Sequence, residues 1–592
     1  MRFASSPSPE GRVFAVSGTN TISFGIDPSA TVRDGLLGFA VERFDPTEDE
    51  RFYMAGFKVF RSVVPTPHPD VAVTTFEHPV QSLVWDDFTA KPGRTYRYVF
   101  HPLKGRAKHL DRSTRGLSIE VATEPLTGGT HDVFFNRGVA SSQAYTRRFG
   151  NRGIDRLSAA KRAAAFEWLG RDLAPQLVGF IDACAAGDEL HCCFYEFAYE
   201  PVADALMAAI GRGVDVRLIV DGKENSSTDA RGFHESFPRE QNLRLLDAVH
   251  FPTDRYVLRT ARANDIAHNK FMVRTPAGGA PAEVWTGSTN ISRGGIFGQT
   301  NVGHHVRDAA VAAQYLAYWH VLAADPGSRA GQTTADKRRA NERFEADVEA
   351  ASPVPPADLR DLPAGCVAVF SPRRGAALLD AYARLLDSAR QSGCITLAFG
   401  VSQAFRSVLL DNTPADAITF LLLEKQDGQH PRSKTAFVAI NASNNVYQAW
   451  GSYLRDPLYQ WVKETNAGLL ALNHHVNYIH SKFELIDPLS ADPIVITGSA
   501  NFSEDSVNNN DENMLLIRGD TRVADIYLTE FNRLFNHYYF RSVTEDAAKR
   551  SDTARDDSLF LAEDDRWLAK YAPGKLRAKR LALYTSMEGL QA

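Results

Sequence analysis

His480-Ser481-Lys482-Phe483-Glu484-Leu485-Ile486-Asp487, trailed by Gly498-Ser499-Ala500-Asn501, decides the fold, because the chain carries a second copy of the pattern. That copy is His268-Asn269-Lys270, trailed by Gly287-Ser288-Thr289-Asn290. One His-x-Lys in 592 residues is noise. Two, each in strand–turn–strand surroundings and each followed by the same turn, point to two half-sites of one phosphate-handling centre. Strands are read over 266–273 and 476–486, and residues two apart on a strand share a face. Each pair therefore presents an imidazole beside an ammonium. The lysines neutralise phosphate oxygens. Glycine in the turn permits close backbone approach, and Ser288, Asn290, Ser499 and Asn501 offer hydroxyls and amides to the phosphate.

Working outward, the elements around both copies repeat. Residues 190–197 read as a buried strand, 201–211 as a helix and 214–220 as a strand, which is a βαβ unit. The order returns with a strand at 367–370, a helix at 376–392, and strands at 394–399 and 418–423. The expected fold class is α/β, an internal duplication with halves at 130–350 and 364–545, joined by a Pro-rich linker at 352–363. Residues 1–127 read as an all-β sandwich, with strands at 36–41, 57–63, 71–76, 95–101 and 117–122. Its 85–100 segment, with the Lys91-Pro92-Gly93 turn, resembles a fibronectin type III module. Residues 546–592 read as a charged tail, with 575–580 a solvated basic helix face.

Hydrophobic content of 44% and charged content of 23% describe an ordinary globular chain, and 592 residues exceed one core. The net charge of −5 gives no global pull toward nucleic acid or anionic membrane. The five cysteines sit in apolar runs and read as buried thiols of a reducing compartment. No signal peptide or membrane span is read, so a cytoplasmic protein is expected. His304-His305 and His474-His475 have no ligand partners at metal spacing, so no metal site is read there. Arg137, Arg373 and Arg374, after the first strand of each half, read as solvated turn residues.

Two imidazoles around one phosphate suffice for double displacement: one attacks phosphorus, the other protonates the leaving oxygen and then activates water. The lysines supply the charge stabilisation, so neither metal nor cofactor is called for. Beyond the turns the copies differ. Eleven positions after Asn501 stands Glu512; eleven after Asn290 stands Asn301, preceded by Gln299. A carboxylate fixes a histidine tautomer and stabilises its cation, whereas an amide orients it without charge. Asp487 precedes Pro488 and reads equally as a turn cap.

These residues resemble the phospholipase D superfamily, whose signature is H-x-K-x4-D followed by G-S/G-x-N. The second copy matches at His480, Lys482, Asp487, Gly498, Ser499, Asn501 and Glu512. The first matches at His268, Lys270, Gly287, Ser288 and Asn290. It departs at Thr275, where the family's aspartate would stand, and at Asn301, where glutamate is common. The resemblance implies that Glu512 supports His268 as nucleophile, with His480 the acid and base, backed by Asn301 or Gln299. It also implies a phosphodiesterase with a phosphohistidine intermediate. A phospholipid substrate is expected first, a nucleic acid second, and a non-catalytic binding protein third. Both halves lie in one chain, so a monomer suffices, and the sandwich is free to recognise a partner or surface.

Overall fold

The computed structural model describes residues 1–56, 58–66, 73–138, 143–150, 153–229, 232–260, 265–326, 331–352, 358–410, 417–428, 440–451, 478–550 and 560–591. The expected strand at 71–76 and linker at 352–363 fall partly outside these residues. His474 and His475 lie wholly outside.

Two seven-stranded sheets carry the duplication. In the first, the order is His131–Phe135, Val302–Val306, Glu283–Gly287, Lys270–Thr275, Glu189–Phe194, Asp215–Asp221 and Tyr256–Arg259. The second repeats it with Gly365–Ser371, Glu512–Arg518, Ile494–Gly498, Phe483–Ile486, Ser392–Leu397, Ile418–Leu423 and Val446–Trp450. The central strands are continuous apolar runs because both their faces are covered. In each half Glu189–Phe194 or Ser392–Leu397 pairs parallel with the strand after its helix and antiparallel with the His-x-Lys strand. The crossover helix Glu200–Gly211 starts with Pro201 in its first turn, where a missing N–H costs nothing. Its counterpart is Gln403–Leu410, between Ser392–Leu397 and Ile418–Leu423; Ala377–Asp387, ahead of the central strand, corresponds to Leu173–Asp182 and ends earlier than the apolar spacing predicts.

Residues 1–122 form two antiparallel sheets, one of Arg2–Ala4, Gly11–Ser17, Ile22–Pro28 and Val84–Asp87, the other built on Gly38–Asp45, Thr95–Arg106 and Leu117–Ala122. Phe24 of one sheet meets Tyr98 and Phe100 of the other, with ring centroids 4.7 and 5.3 Å away. The hairpin of Gly11–Ser17 and Ile22–Pro28 is absent from the sequence reading. One apolar cluster runs from here through the facing sides of both large sheets, joining Phe24, Phe135, Phe271, Phe370 and Phe483. Each such ring contributes about 1.5–3 kcal/mol by burial. The halves are therefore set against each other by a shared core.

Helix Thr521–Arg550 ties the sheet-rich region to both halves. Its Asp525 accepts from Arg2 at 2.9 Å, and Glu530 pairs with Arg171 at 3.0 Å. The last residues are not a solvated tail. Trp567 donates to the Leu36 carbonyl at 2.9 Å, and Leu581 and Tyr584 of helix Leu576–Thr585 are buried. The many charges there hide a single apolar face. No helix among the described residues is long and apolar enough to cross a membrane.

Candidate active site

The ladders begin at Lys270 and Phe483, later than read from the sequence, so His268 and His480 stand just ahead of them. Side chains anchor both approaches. Ala267 N–H donates to Asp221 at 2.9 Å, and Ile479 N–H donates to Glu424 at 2.8 Å. Gly287 and Gly498 are demanded by space: a Cβ would fall 2.3 Å from the Val302 carbonyl oxygen and 2.1 Å from that of Asn513. The turns thus press against the strands that carry Asn301 and Glu512.

Each histidine is held by the other half. His268 Nδ1 lies 2.9 and 3.0 Å from the Glu512 carboxyl oxygens. His480 Nδ1 lies 2.9 Å from Asn301 Oδ1. The two rings stand 6.4 Å apart between centroids, at 72°. Lys270 and Lys482 each donate to the carbonyl of their own histidine at 2.5 Å. Tyr195 packs edge-on to His268 at 4.9 Å and lies under Lys270 at 5.2 Å.

Burial dominates the electrostatics. It pushes Glu512 up to about 8, against the pull of Lys270, Ser499 and Lys482. It pushes Lys270 down to about 8, and holds Lys482 well below the ordinary lysine value with help from Lys270. Both imidazoles are held well below theirs, by burial and then by the two lysines. The His268–Glu512 contact at 2.9 Å is a buried hydrogen bond in which Nδ1–H donates to the carboxyl, so a neutral ring keeps its lone pair on Nε2. A neutral imidazole is the nucleophilic form.

Several expected roles change. Ser288 and Ser499 are not aimed at a phosphate. Ser288 Oγ donates to Asn301 at 2.8 Å, and Ser499 Oγ donates to Glu512 at 2.7 Å, so each fixes a group that holds a histidine. Asn290 donates to Glu196 at 2.6 Å. Asn501 is buried, with its Oδ1 unbonded. The group on His480 Nδ1 is Asn301, and the Gln299 backbone carbonyl accepts from Asn136 at 2.6 Å. Asp487 belongs to the fold and not to the site. It adopts a left-handed φ of 46°, accepts the N–H groups of Arg390, Gln391 and Ser392, and pairs with Arg360 at 2.9 Å. Where the first half has Thr275, Asp188 on the neighbouring strand's approach takes over, accepting from Arg274 and Ala277.

His304 bonds His131 and Tyr527, and His305 bonds Glu283. Among the described residues no cluster could hold a metal ion. Arg137 lies over Trp168 and Arg373 is buried, so neither is a solvated turn residue; Arg374 pairs with Glu345. Sequence reasoning missed Asn513, which accepts from Thr286 and Tyr315 and donates to Asn269, bolting the two halves together beside Glu512. Its place directly after Glu512 was the available signal. It also missed Glu196 and Tyr195.

A family model described as "Cardiolipin synthase, PLD-like domain" matches residues 180–322 and again 384–535. Each match contains one His-x-Lys and its Gly-Ser-x-Asn turn. Among solved structures, phosphatidylserine synthase from Haemophilus influenzae Rd KW20 is 12% identical, with a TM-score of 0.42 over 70% of this chain and 93% of its own. Polyphosphate kinase from Porphyromonas gingivalis is 12% identical, with a TM-score of 0.35 over 60% of this chain and 46% of its own, so this chain spans less than half of that protein. Nuc from Salmonella typhimurium, a phospholipase D family member, is 22% identical, with a TM-score of 0.19 over 25% of this chain and 84% of its own. Among curated proteins none matches the chain. With both half-sites matched by that family and joined across a shared core, the chain belongs to the phospholipase D superfamily, whose members process phosphodiesters.

Proposed function

We propose that this protein is a metal-independent phosphodiesterase that hydrolyses the head-group phosphodiester of a phospholipid. The observation that carries the reading is the unequal support of two facing histidines, a carboxyl on His268 and an amide on His480. His268 Nε2 attacks phosphorus. The P–O bond to the alcohol breaks, and His480 delivers a proton to the departing oxygen. His480 then takes a proton from water, the water oxygen bonds phosphorus, and the P–N bond breaks. Glu512 stabilises His268 when the phosphorylated ring becomes cationic. Lys270 and Lys482 carry the charge that balances the phosphate oxygens. An anionic substrate between them also raises His480 toward its protonated form, since added negative charge favours a cation.

Lipid is supported by the rim. Phe399, 67% exposed, stands just past strand Ser392–Leu397, which pairs with the second His-x-Lys strand through Ile395 and Glu484. An exposed ring at a reaction mouth suits an acyl surface.

The test is turnover of bis(p-nitrophenyl) phosphate, phosphatidylcholine vesicles and single-stranded DNA in EDTA, with His480→Ala as control. Lipid turnover in EDTA, lost in the variant, is expected. DNA turnover alone would replace lipid by nucleic acid, and silence on all three would overturn the diesterase reading.

A further inference from the structure

We propose that Lys58, Lys570 and Arg577 form a second anion site, where the C-terminal segment packs on the β-rich N-terminal region, and that this site binds a phosphomonoester group. It is independent of the reaction at His268 and His480. Lys58 stands directly before strand Val59–Phe60, which pairs parallel with Phe560–Leu561. Lys570 belongs to the short helix Asp565–Tyr571, and Arg577 to the first turn of helix Leu576–Thr585. Packing fixes these carriers: Tyr571 Oη accepts from Leu83 N–H at 3.0 Å, and Trp567 and Tyr584 are buried.

The three cations converge without an anion. The charges that act on Lys58 are those of Lys570 and Arg577, and the charge that acts on Lys570 is that of Arg577. All of these effects are repulsive. Among the described residues no carboxylate pairs with any of the three. Lys58 is half-buried, with its ammonium 5.7 Å over the Phe540 ring. Burial, and then the two neighbouring cations, lower it to about 8. Arg577 is half-buried too and lies 5.9 Å over the Tyr571 ring. A ring face attracts each cation but leaves the repulsion between them in place.

Other members of the basic run at 575–580 are committed elsewhere. Lys579 donates to Asn445 at 3.4 Å, and Arg580 donates to Asn536 at 2.9 Å. Arg577 instead lies with Lys58 and Lys570. The helix it starts adds to the field, because its N-cap is Lys575, with no side-chain acceptor for the first N–H groups. In a chain of net charge −5, composition does not account for such a gathering. A compact anion shared by the three does.

Two ammoniums act as point charges and a guanidinium offers a planar fork, a set that suits phosphate oxygens. The double charge of a phosphomonoester matches three cations better than the single charge of a diester or a carboxylate. Such a group occurs free in solution and on a lipid such as phosphatidic acid.

The experiment labels the wild-type chain with limiting acetic anhydride at mildly alkaline pH and follows each lysine by peptide mass measurement. A bound phosphate covers Lys58 and draws it back to its unreactive protonated form. One arm compares inorganic phosphate with chloride at equal ionic strength. The other compares neutral detergent micelles carrying phosphatidic acid with micelles carrying oleate as a charge control, so that no diester is present. Lys58 is expected to label about fivefold more slowly with the phosphomonoester, while the exposed Lys161 and Lys337 keep their rates. Protection by inorganic phosphate assigns a soluble ligand. Protection by phosphatidic acid alone, beyond that by oleate, assigns a lipid one. Protection by neither overturns the site, as does phosphatidic acid acting no better than oleate when free phosphate gives none. Lys570 is exposed, so Lys570→Gln leaves the packing in place and is expected to remove most of the protection of Lys58. Undiminished protection in that variant also overturns the proposal.

Discussion

In the first half His268 meets a carboxyl at 2.9 Å; in the second His480 meets an amide at the same distance. The sheets behind them have the same strand order, and both Gly-Ser turns do the same work, each serine gripping the group that grips the opposite histidine. Duplication supplied the geometry, and one change of functional group distinguishes the two histidines; in the proposed reaction it divides the labour. A carboxyl stabilises a ring that becomes cationic on phosphorylation, whereas an amide leaves its ring free to gain and lose a proton. The halves also close one corner differently. Asp487 clamps the Arg390–Ser392 turn in the second, and Asp188 clamps Arg274 and Ala277 in the first. Each corner is tied by an aspartate from the opposite side of it, with different donors, so the first half holds together without the signature aspartate.

The sharpest way to break this comparison is to remove each histidine. His268→Ala is expected to lower kcat by about 10⁴-fold or more and to abolish any covalent phosphoenzyme. His480→Ala should lower turnover of a lipid comparably, yet still accumulate phosphoenzyme from bis(p-nitrophenyl) phosphate, whose leaving group needs no proton. Acid quenching and peptide mass measurement check both, and phosphate found on residue 480 would reverse the assignment.

Next come the supporting groups. Glu512→Gln is expected to cost about 10²–10⁴-fold in kcat, since the ring then has no anion to balance its cation. Asn301→Ala should cost less, about tenfold, through lost orientation alone. Equal losses in steady-state kinetics would mean that the asymmetry is ornamental.

The lysines set a pH dependence. Burial lowers Lys270 to about 8, so its charge is present below that pH and lost above it. Binding of tungstate, a phosphate mimic, is expected to weaken as pH rises through about 8, with Lys270→Arg moving that loss upward. The linkage has a definite sign. A lysine whose folded value lies below its unfolded one destabilises the fold as pH falls from about 10.5 toward 8. Thermal unfolding of the empty protein should show that decline for Lys270, and tungstate should raise the melting temperature more below pH 8 than above it.

The smallest effects belong to the corners. Asp487→Ala and Asp188→Ala are each expected to lower stability by about 1–3 kcal/mol through orphaned N–H groups, with kcat/KM changed by less than about threefold. A loss of activity without a loss of stability in Asp487→Ala would return that residue to the chemistry.

Much of this could be read along the chain. The paired His-x-Lys elements, the glycines pressed against neighbouring carbonyls, and the first βαβ unit follow from local pattern, because strand alternation and turn sterics act over a few residues; in the second half the reading passed over the crossover helix Gln403–Leu410, and the strand at 367–370 pairs with Glu512–Arg518 instead of Ser392–Leu397. The reading failed where distant groups intervene. The helix at Ala377–Asp387 stops early because Asp487, far along the chain, takes the N–H groups that a longer helix would use. The tail after residue 546 looks solvated until Trp567 and Tyr584 find the β-rich region to pack on.

Sequence alone therefore determined the duplication, the candidate site residues and their division into two half-sites, since each is a matter of spacing within one strand and turn. Only the tertiary structure decided which carboxyl meets which histidine, that the serines hold those partners and not the phosphate, and that Glu196 takes the Asn290 amide. His268 and Glu512 are 244 positions apart. Their contact exists because two apolar sheet faces bury each other, and that packing has no expression in the spacing of either motif.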